Sequence, residues 1–586
     1  MKSFLKYTLA TITGIFLSTL VLFFLILIII TVSTSEKPAD VKSNSILYMK
    51  LNDRIVDRTV ESPFDFIPTG LLSFREMGLI DILDNIRKAK KDDNITGIYL
   101  QLTSINAGSG TIEEIRNALL DFKESGKFII TFGDIFTQKS YYLASVADSI
   151  FLNPEGMFLM TGLGSEIMFF KGTLDKLGIE AQVIRHGDYK SFVEPYTNDK
   201  MSPENREQIL TWIGSIWNHM LKGIGEQRGL EPEVLNRLAE EFVIRSARDA
   251  LKHELVDGLK YKDEVIDALK ELTGTDPKKD LKVITLRKYT KVPAKRDYKG
   301  IARDKVAVIY AHGDILLGNT GEGTISSERI SKAIRQARRD SSVKAIVLRV
   351  NSGGGGALAS DVIWREVYLA SKTKPLVASM GDVAASGGYY ILAPADTILA
   401  HPNTVTGSIG VFAMFPNMKP FFNKKLGITI DVAKTNSHAD AGSPFRPLTA
   451  DEKSIFQSMI EDTYDSFIER VSEGRQMTRK KVDAVAGGRV WSGENALENG
   501  LIDRYGGLYD AIEIAAEMAG LEKYRVLSLP KLEDPIEQFI RELTDNTRTR
   551  MVKKELGQFY PYFKTLTELE GLFGIQARLP FRFELY

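Results

Sequence analysis

Hydrolytic chemistry in this chain has few residue types to draw on. It has no cysteine and only six histidines (His186, His219, His253, His312, His401 and His438), none in an HExxH or HxH arrangement. Thiol nucleophiles and thiolate metal sites are thereby excluded, and neither a metal nor an organic cofactor is expected. Asn351-Ser-Gly-Gly-Gly-Gly-Ala357 is glycine-dense enough to bring backbone close to a ligand and turn amide N–H groups toward an oxyanion or a phosphate. A Walker loop would need Gly-Lys-Ser/Thr, which does not follow. Ser386, flanked by Ala385, Gly387 and Gly388, is sterically open, as a nucleophile at a strand-to-helix turn must be. The same residues also describe an ordinary helix N-cap, and they are not a Gly-x-Ser-x-Gly elbow. Lys190, in Tyr189-Lys-Ser-Phe-Val-Glu-Pro195, reads as a solvated surface amine unless something desolvates it.

Such groups need a scaffold, and the chain alternates short β-branched strands with longer amphipathic helices, the pattern of an α/β fold. Ile98-Tyr-Leu-Gln-Leu102 and Ala345-Ile-Val-Leu-Arg-Val350 are two such strands, and they are copies of one another. Ile86-Arg87 matches Ile334-Arg335 at an offset of 248 (334 − 86). The same offset relates Asp92 to Asp340, Ser104 to Ser352, Gly133-Asp134 to Gly381-Asp382, Tyr141-Tyr142 to Tyr389-Tyr390 and Pro154 to Pro402. Hydrophobic periodicity does not demand shared Asp, Gly, Tyr and Pro positions, so an internal duplication is expected. The expected organisation is a cytoplasmic N-terminus (1–6), a transmembrane anchor (7–32), a linker (33–44), one α/β domain (45–265), a second linker (266–302), a second α/β domain (303–525) and a tail (526–586). The tail contains one amphipathic helical stretch, 536–556, and an apolar, aromatic ending.

The copies differ where chemistry is expected. The strand ending at Val350 runs into the glycine-dense loop, whereas its counterpart runs into Thr103-Ser-Ile-Asn-Ala-Gly108. Ser386 falls opposite Gln138 (386 − 248), and Lys190 falls opposite His438 (190 + 248), with Lys434 out of register. Each copy lacks what the other carries. Together, Asn351-Ser-Gly-Gly-Gly-Gly, Gly381-Asp-Val-Ala-Ala-Ser-Gly-Gly-Tyr-Tyr390, Thr406-Gly-Ser-Ile-Gly410, Tyr189-Lys-Ser-Phe-Val-Glu-Pro195 and Met201-Ser-Pro203 strongly resemble the signal peptide peptidase A family. These are serine proteases of the Clp-protease/crotonase fold, whose long form has two tandem domains behind an N-terminal anchor, so the resemblance spans nearly the whole chain. It implies Ser386 as nucleophile, Lys190 as general base, Ser408 as the hydroxyl that orients the lysine amine, and Gly355 and Gly387 as the oxyanion hole. It further implies signal peptides as substrates and a bowl-like homotetramer. One departure is Gly353, which stands where the family has proline and predicts a more flexible loop.

A lysine amine with a pKa of about 10.4 is protonated at neutral pH and cannot accept a proton from serine. Lys190 is therefore expected to be desolvated where domains or subunits meet, with no carboxylate beside it. Location is read from Tyr7–Val32, 26 residues without a charge, against the roughly 20 that span a bilayer. Lys2 and Lys6 precede it, which keeps the N-terminus inside and sends the body to the periplasmic or outer side of a bacterial cytoplasmic membrane. Lys+Arg 76 against Asp+Glu 76 leaves no basic field for nucleic acid, so the expected partners are peptides, the membrane and other copies of the chain. Two other readings are a crotonase-type acyl-CoA enzyme and a non-catalytic membrane scaffold.

Overall fold

The computed structural model describes residues 4, 6–8, 10–21, 41–59, 76–293, 302–321, 323–532 and 574–579. Of the expected anchor, residues 10–21 are helical and exposed, and the part from 22 onward lies outside the described residues, as does the stretch 536–556. Among the described residues no helix is long and apolar enough to cross a membrane.

Each copy folds around its own sheet. In the first the strand order is Gly258–Leu259, Ser149–Leu159, Phe128–Thr137, Ile95–Leu102, Ser45–Lys50, Val283–Thr285, all parallel. In the second it is Val490–Ser492, Val405–Gly407, Leu376–Ala385, Val343–Ser352, Lys305–His312, Arg525–Leu529, with Thr397–Ala400 also paired to Leu376–Ala385. Parallel strands need crossover helices, which cover both faces. That is why Ile98, Leu100, Ile346 and Leu348 are buried without a solvent-facing partner between them. The duplication is visible in the helices. Leu79–Lys91 and Ser327–Arg339 each have 13 residues at an offset of 248 (327 − 79), and Ser109–Lys123 and Ala357–Ser371 each have 15 at the same offset. Buried tyrosine hydroxyls need acceptors, and both copies solve this alike: Tyr142 donates to Glu113 at 2.7 Å and Tyr390 to Asp361 at 2.8 Å.

Two stretches expected to be linker and tail supply strands. Val283–Thr285, inside 266–302, pairs with Ile46–Tyr48. From the tail, Val526–Leu529 pairs with Val306–Ile309. A strand of three to five residues among charged neighbours is too short for periodicity to reveal.

A third sheet joins the copies. Its order is Ile325–Ser326, Ile315–Leu316, Gly354–Gly356, Gln576–Arg578, Phe412–Asn417, Glu180–Arg185. Glu180–Arg185 of the first copy pairs antiparallel with Phe412–Asn417 of the second along its whole length. A second seam is ionic. Arg349 is fully buried; its Nε donates to Asp57 Oδ1 at 2.8 Å, its Nη2 lies 2.5 Å from Glu114 Oε1, and its Nη1 donates to Ser379 Oγ at 2.9 Å. Burial, the largest influence, would raise the pKa of Asp57 and Glu114, but the guanidinium between them, together with His312 beside Asp57 and His401 and the Leu508 amide beside Glu114, outweighs it and holds both below the ordinary carboxylate range.

Candidate active site

The loop after Glu180–Arg185 carries Lys190 across the seam. Gln208 holds it by donating to Tyr189 O at 3.1 Å and Ser191 Oγ at 2.8 Å, while its own carbonyl accepts from Val490 N at 3.0 Å in the other copy. His186, four residues before Lys190, stacks on Tyr464 with ring centroids 3.6 Å apart. Beneath the lysine lies Gly488, with φ +88, where a Cβ would meet Lys190 N at 2.6 Å and its Cα at 2.7 Å. Only a glycine lets the two backbones approach so closely. Gly488→Ala is expected to shift the amine by a fraction of an ångström and lower kcat about 10²-fold with little change in KM. Steady-state kinetics beside a thermal melt would separate this from simple unfolding.

Ser386 ends the strand Leu376–Ala385 and precedes helix Gly387–Leu392 with φ 54 and ψ −118, a conformation that costs a residue bearing a Cβ about 1–3 kcal/mol. It occupies the N-cap position, yet its side chain makes no capping bond. Its Oγ instead lies 2.8 Å from Lys190 Nζ, so the helix-cap alternative does not describe it. Lys190 Nζ also lies 3.0 Å from both Ser408 O and Ser408 Oγ. Lys190, Ser386 and Ser408 are all 0% exposed. Among the described residues no carboxylate pairs with the amine, and burial alone holds its pKa well below the ordinary 10.5. The geometry suits a neutral amine, which has two N–H bonds and one lone pair. The two donors can serve Ser408 O and Oγ, leaving the lone pair for the Ser386 hydroxyl.

The glycine loop lies against the start of the helix. Gly354, with φ +98, donates its amide to Ser352 Oγ at 3.0 Å. A Cβ on Gly354 would come 2.7 Å from Gly387 N, and one on Gly387 would come 3.2 Å from Gly355 N. The glycine loop and the first turn of the helix therefore pack closely at Gly354, Gly355 and Gly387. In the first copy the residue opposite Ser386, Gln138, donates to Gly162 O at 2.6 Å and offers no nucleophile. His438, opposite Lys190, is exposed. A cavity of 790 Å³ lies elsewhere, between helices Leu79–Lys91 and Leu508–Met518. Sequence reasoning missed Gly488, Gln208 and Arg349. For Arg349 a signal existed, since a guanidinium inside an otherwise apolar strand must find buried partners.

The model of peptidase family S49 matches residues 121–276 and 369–522, one stretch in each copy. The chain is 38% identical to Protease 4 of Salmonella typhi over 77% of this chain and 74% of that one. It is 36% identical to Protease 4 of Haemophilus influenzae over 76% and 73%. It is also 36% identical to the chloroplastic serine protease SPPA of Arabidopsis thaliana, over 84% of this chain and 72% of the relative. Among solved structures, a ClpP1 mutant from Listeria monocytogenes aligns with 35% of this chain and 94% of its own, at 16% identity and a TM-score of 0.24. That score is too low to bear on the fold. Two tandem α/β domains with such relatives define a serine peptidase. The chain belongs to peptidase family S49.

Proposed function

We propose that this chain is a membrane-anchored serine endopeptidase in which Ser386 is the nucleophile and Lys190 the general base, acting on signal peptides and other apolar peptides at the outer face of a bacterial cytoplasmic membrane. One observation carries the reading: a fully buried amine, with no carboxylate paired to it among the described residues, lies 2.8 Å from a serine hydroxyl on a strained turn. Lys190 takes the Ser386 proton as Oγ attacks a peptide carbonyl, and the tetrahedral oxyanion receives the amides of Gly355 and Gly387. The lysine then returns the proton to the departing amine. In the second half it draws a proton from water as that water attacks the acyl-enzyme, and it hands the proton to Ser386 Oγ as the new carboxyl product leaves, restoring the hydroxyl and the neutral amine. Ser408 keeps the amine aimed throughout. Gly354 is not the oxyanion donor in this scheme, because Ser352 already uses its amide.

The resemblance to signal peptide peptidase A supports the Clp-protease/crotonase type of fold, the signal-peptide substrates and a homotetramer. The uncharged stretch Tyr7–Val32 supports anchoring. Labelling of Ser386 by a fluorophosphonate, absent in Ser386→Ala, separates a peptidase from an inert scaffold, and a thioester turnover assay separates it from an acyl-CoA enzyme. The pH profile of kcat/KM should fall on the acid side as Lys190 becomes protonated, with an apparent pKa well below 10.5. A profile still rising up to pH 10 would mean an ordinary, solvated amine.

A further inference from the structure

Lys190 is the centre of an inverse γ-turn. Its backbone has φ −75 and ψ 70, and Ser191 N donates to Tyr189 O at 2.8 Å. A lysine amine sits on a flexible four-carbon stem, so its aim depends on what holds such a turn from outside. We propose that Arg489, in the second copy, is the positioning residue that sets this amine against Ser386 and Ser408, acting through Tyr189. The inference rests on the reading of Lys190 as the base.

The guanidinium of Arg489 lies between two rings, with Cζ 4.7 Å from the centroid of Tyr189 and 4.4 Å from that of Trp491. Its Nη2 donates to Glu207 Oε1 at 2.8 Å and its Nη1 to Tyr189 OH at 3.3 Å. Glu207 Oε2 accepts from the same hydroxyl at 3.1 Å. Tyr189, the first residue of the turn, is thus held by its ring face and by its hydroxyl. The backbone of the same arginine serves the other partner of the amine, since Arg489 O accepts from Ser408 N at 2.6 Å. On either side of it stand Gly488, against which Lys190 packs, and Val490, whose amide is bonded to Gln208. One tripeptide therefore carries ties to the base and to the serine that orients it, and Arg489 supplies its only polar side chain. That side chain is 21% exposed, so its loss should loosen the turn without opening either core. The other charged groups around the turn are Arg185, which donates to Lys190 O at 3.3 Å, the exposed Asp188, and His186 with Glu461.

The test uses the full chain and leaves those groups and the reacting pair intact. Arg489→Met is expected to lower kcat about tenfold with KM nearly unchanged, because a small misplacement of a reacting group is felt in the chemical step. The acid limb of the kcat/KM profile should also move to higher pH, since a loosened amine is better solvated and holds its proton more firmly. Tyr189→Ala leaves the guanidinium charge in place and should do the same, which separates placement from a change in local charge. The double variant should be no worse than either single one, as residues acting in one contact are not additive. A parent-like kcat and acid limb in Arg489→Met would overturn the proposal. So would a lower kcat with an unmoved limb, or one that only follows a lower melting temperature. NMR titration of protein labelled with 13C-lysine, with the Lys190 signal assigned by its loss in Lys190→Ala, reads the amine apart from turnover. A midpoint that rises in both variants while the parent's kcat/KM does not follow the amine would uphold the placement and reject Lys190 as base. An unmoved midpoint would reject the placement.

Discussion

Ser386→Ala and Lys190→Ala are each expected to lower kcat toward an apolar peptide by at least about 10³-fold, and the double variant to lower it no further. The two groups act as a unit: without the amine nothing takes the hydroxyl proton, and without the hydroxyl the amine has nothing to activate. KM should move little, because neither side chain is placed to hold the peptide's length. Lys190→Arg should be as inactive as Lys190→Ala, since a guanidinium stays charged near neutral pH and cannot act as base. Steady-state kinetics on a fluorogenic peptide, with active-site titration to count competent enzyme, measures all four. A Lys190→Ala enzyme within tenfold of the parent would sink the assignment of the base. Independently expressed halves should be inactive alone, because each contributes one member of the pair.

The seam that brings the halves together yields the second large effect. Arg349→Met strands Asp57 and Glu114, both buried, and breaking such a pair typically costs about 3–5 kcal/mol. The pH dependence gives a sharper test. In the parent both carboxyls titrate below their ordinary range, so their contribution is complete above about pH 5 and is lost as pH falls through the lowered folded values. Without Arg349 the first lowering influence on both carboxyls is gone, leaving His312 beside Asp57 and His401 beside Glu114 to oppose burial. Both pKa values therefore rise relative to the parent, and acid should cost the variant less stability than it costs the parent. The gap between parent and variant should therefore shrink from neutral pH toward pH 4. Urea unfolding at several pH values checks this; a gap constant with pH would mean that the ion pairs do not bear on stability. Activity should fall along with docking, since the strand pairing Glu180–Arg185 with Phe412–Asn417 is the other tie holding Lys190 near Ser386.

Much of the design was legible without coordinates. The offset of 248 between Ile86-Arg87 and Ile334-Arg335 (334 − 86) exposed the duplication, because repeated Asp, Gly, Tyr and Pro positions survive where mere hydrophobic patterning would not keep them. The resemblance to signal peptide peptidase A pointed to Ser386 and Lys190, and the comparison of the copies fits it, since each is missing from the other copy, although either alone would have passed for a helix cap or a surface amine. Tertiary structure alone decided the rest. The lysine's lowered pKa arises from desolvation by groups far along the chain, a quantity absent from any local segment. Gly488 matters only because Lys190 rests on it, nearly 300 positions away in sequence. Arg349 was visible as a charge in an apolar strand, but Asp57 and Glu114 became its partners only when the copies docked. Gln576–Arg578 is too short to announce itself as a strand, and its place beside Gly355 follows from long-range pairing. The sequence by itself determined which residue types are present and how they are spaced; the folded chain decided how close they come, how deeply they are buried and what they pair with, since distance, burial and pairing are properties of the docked whole.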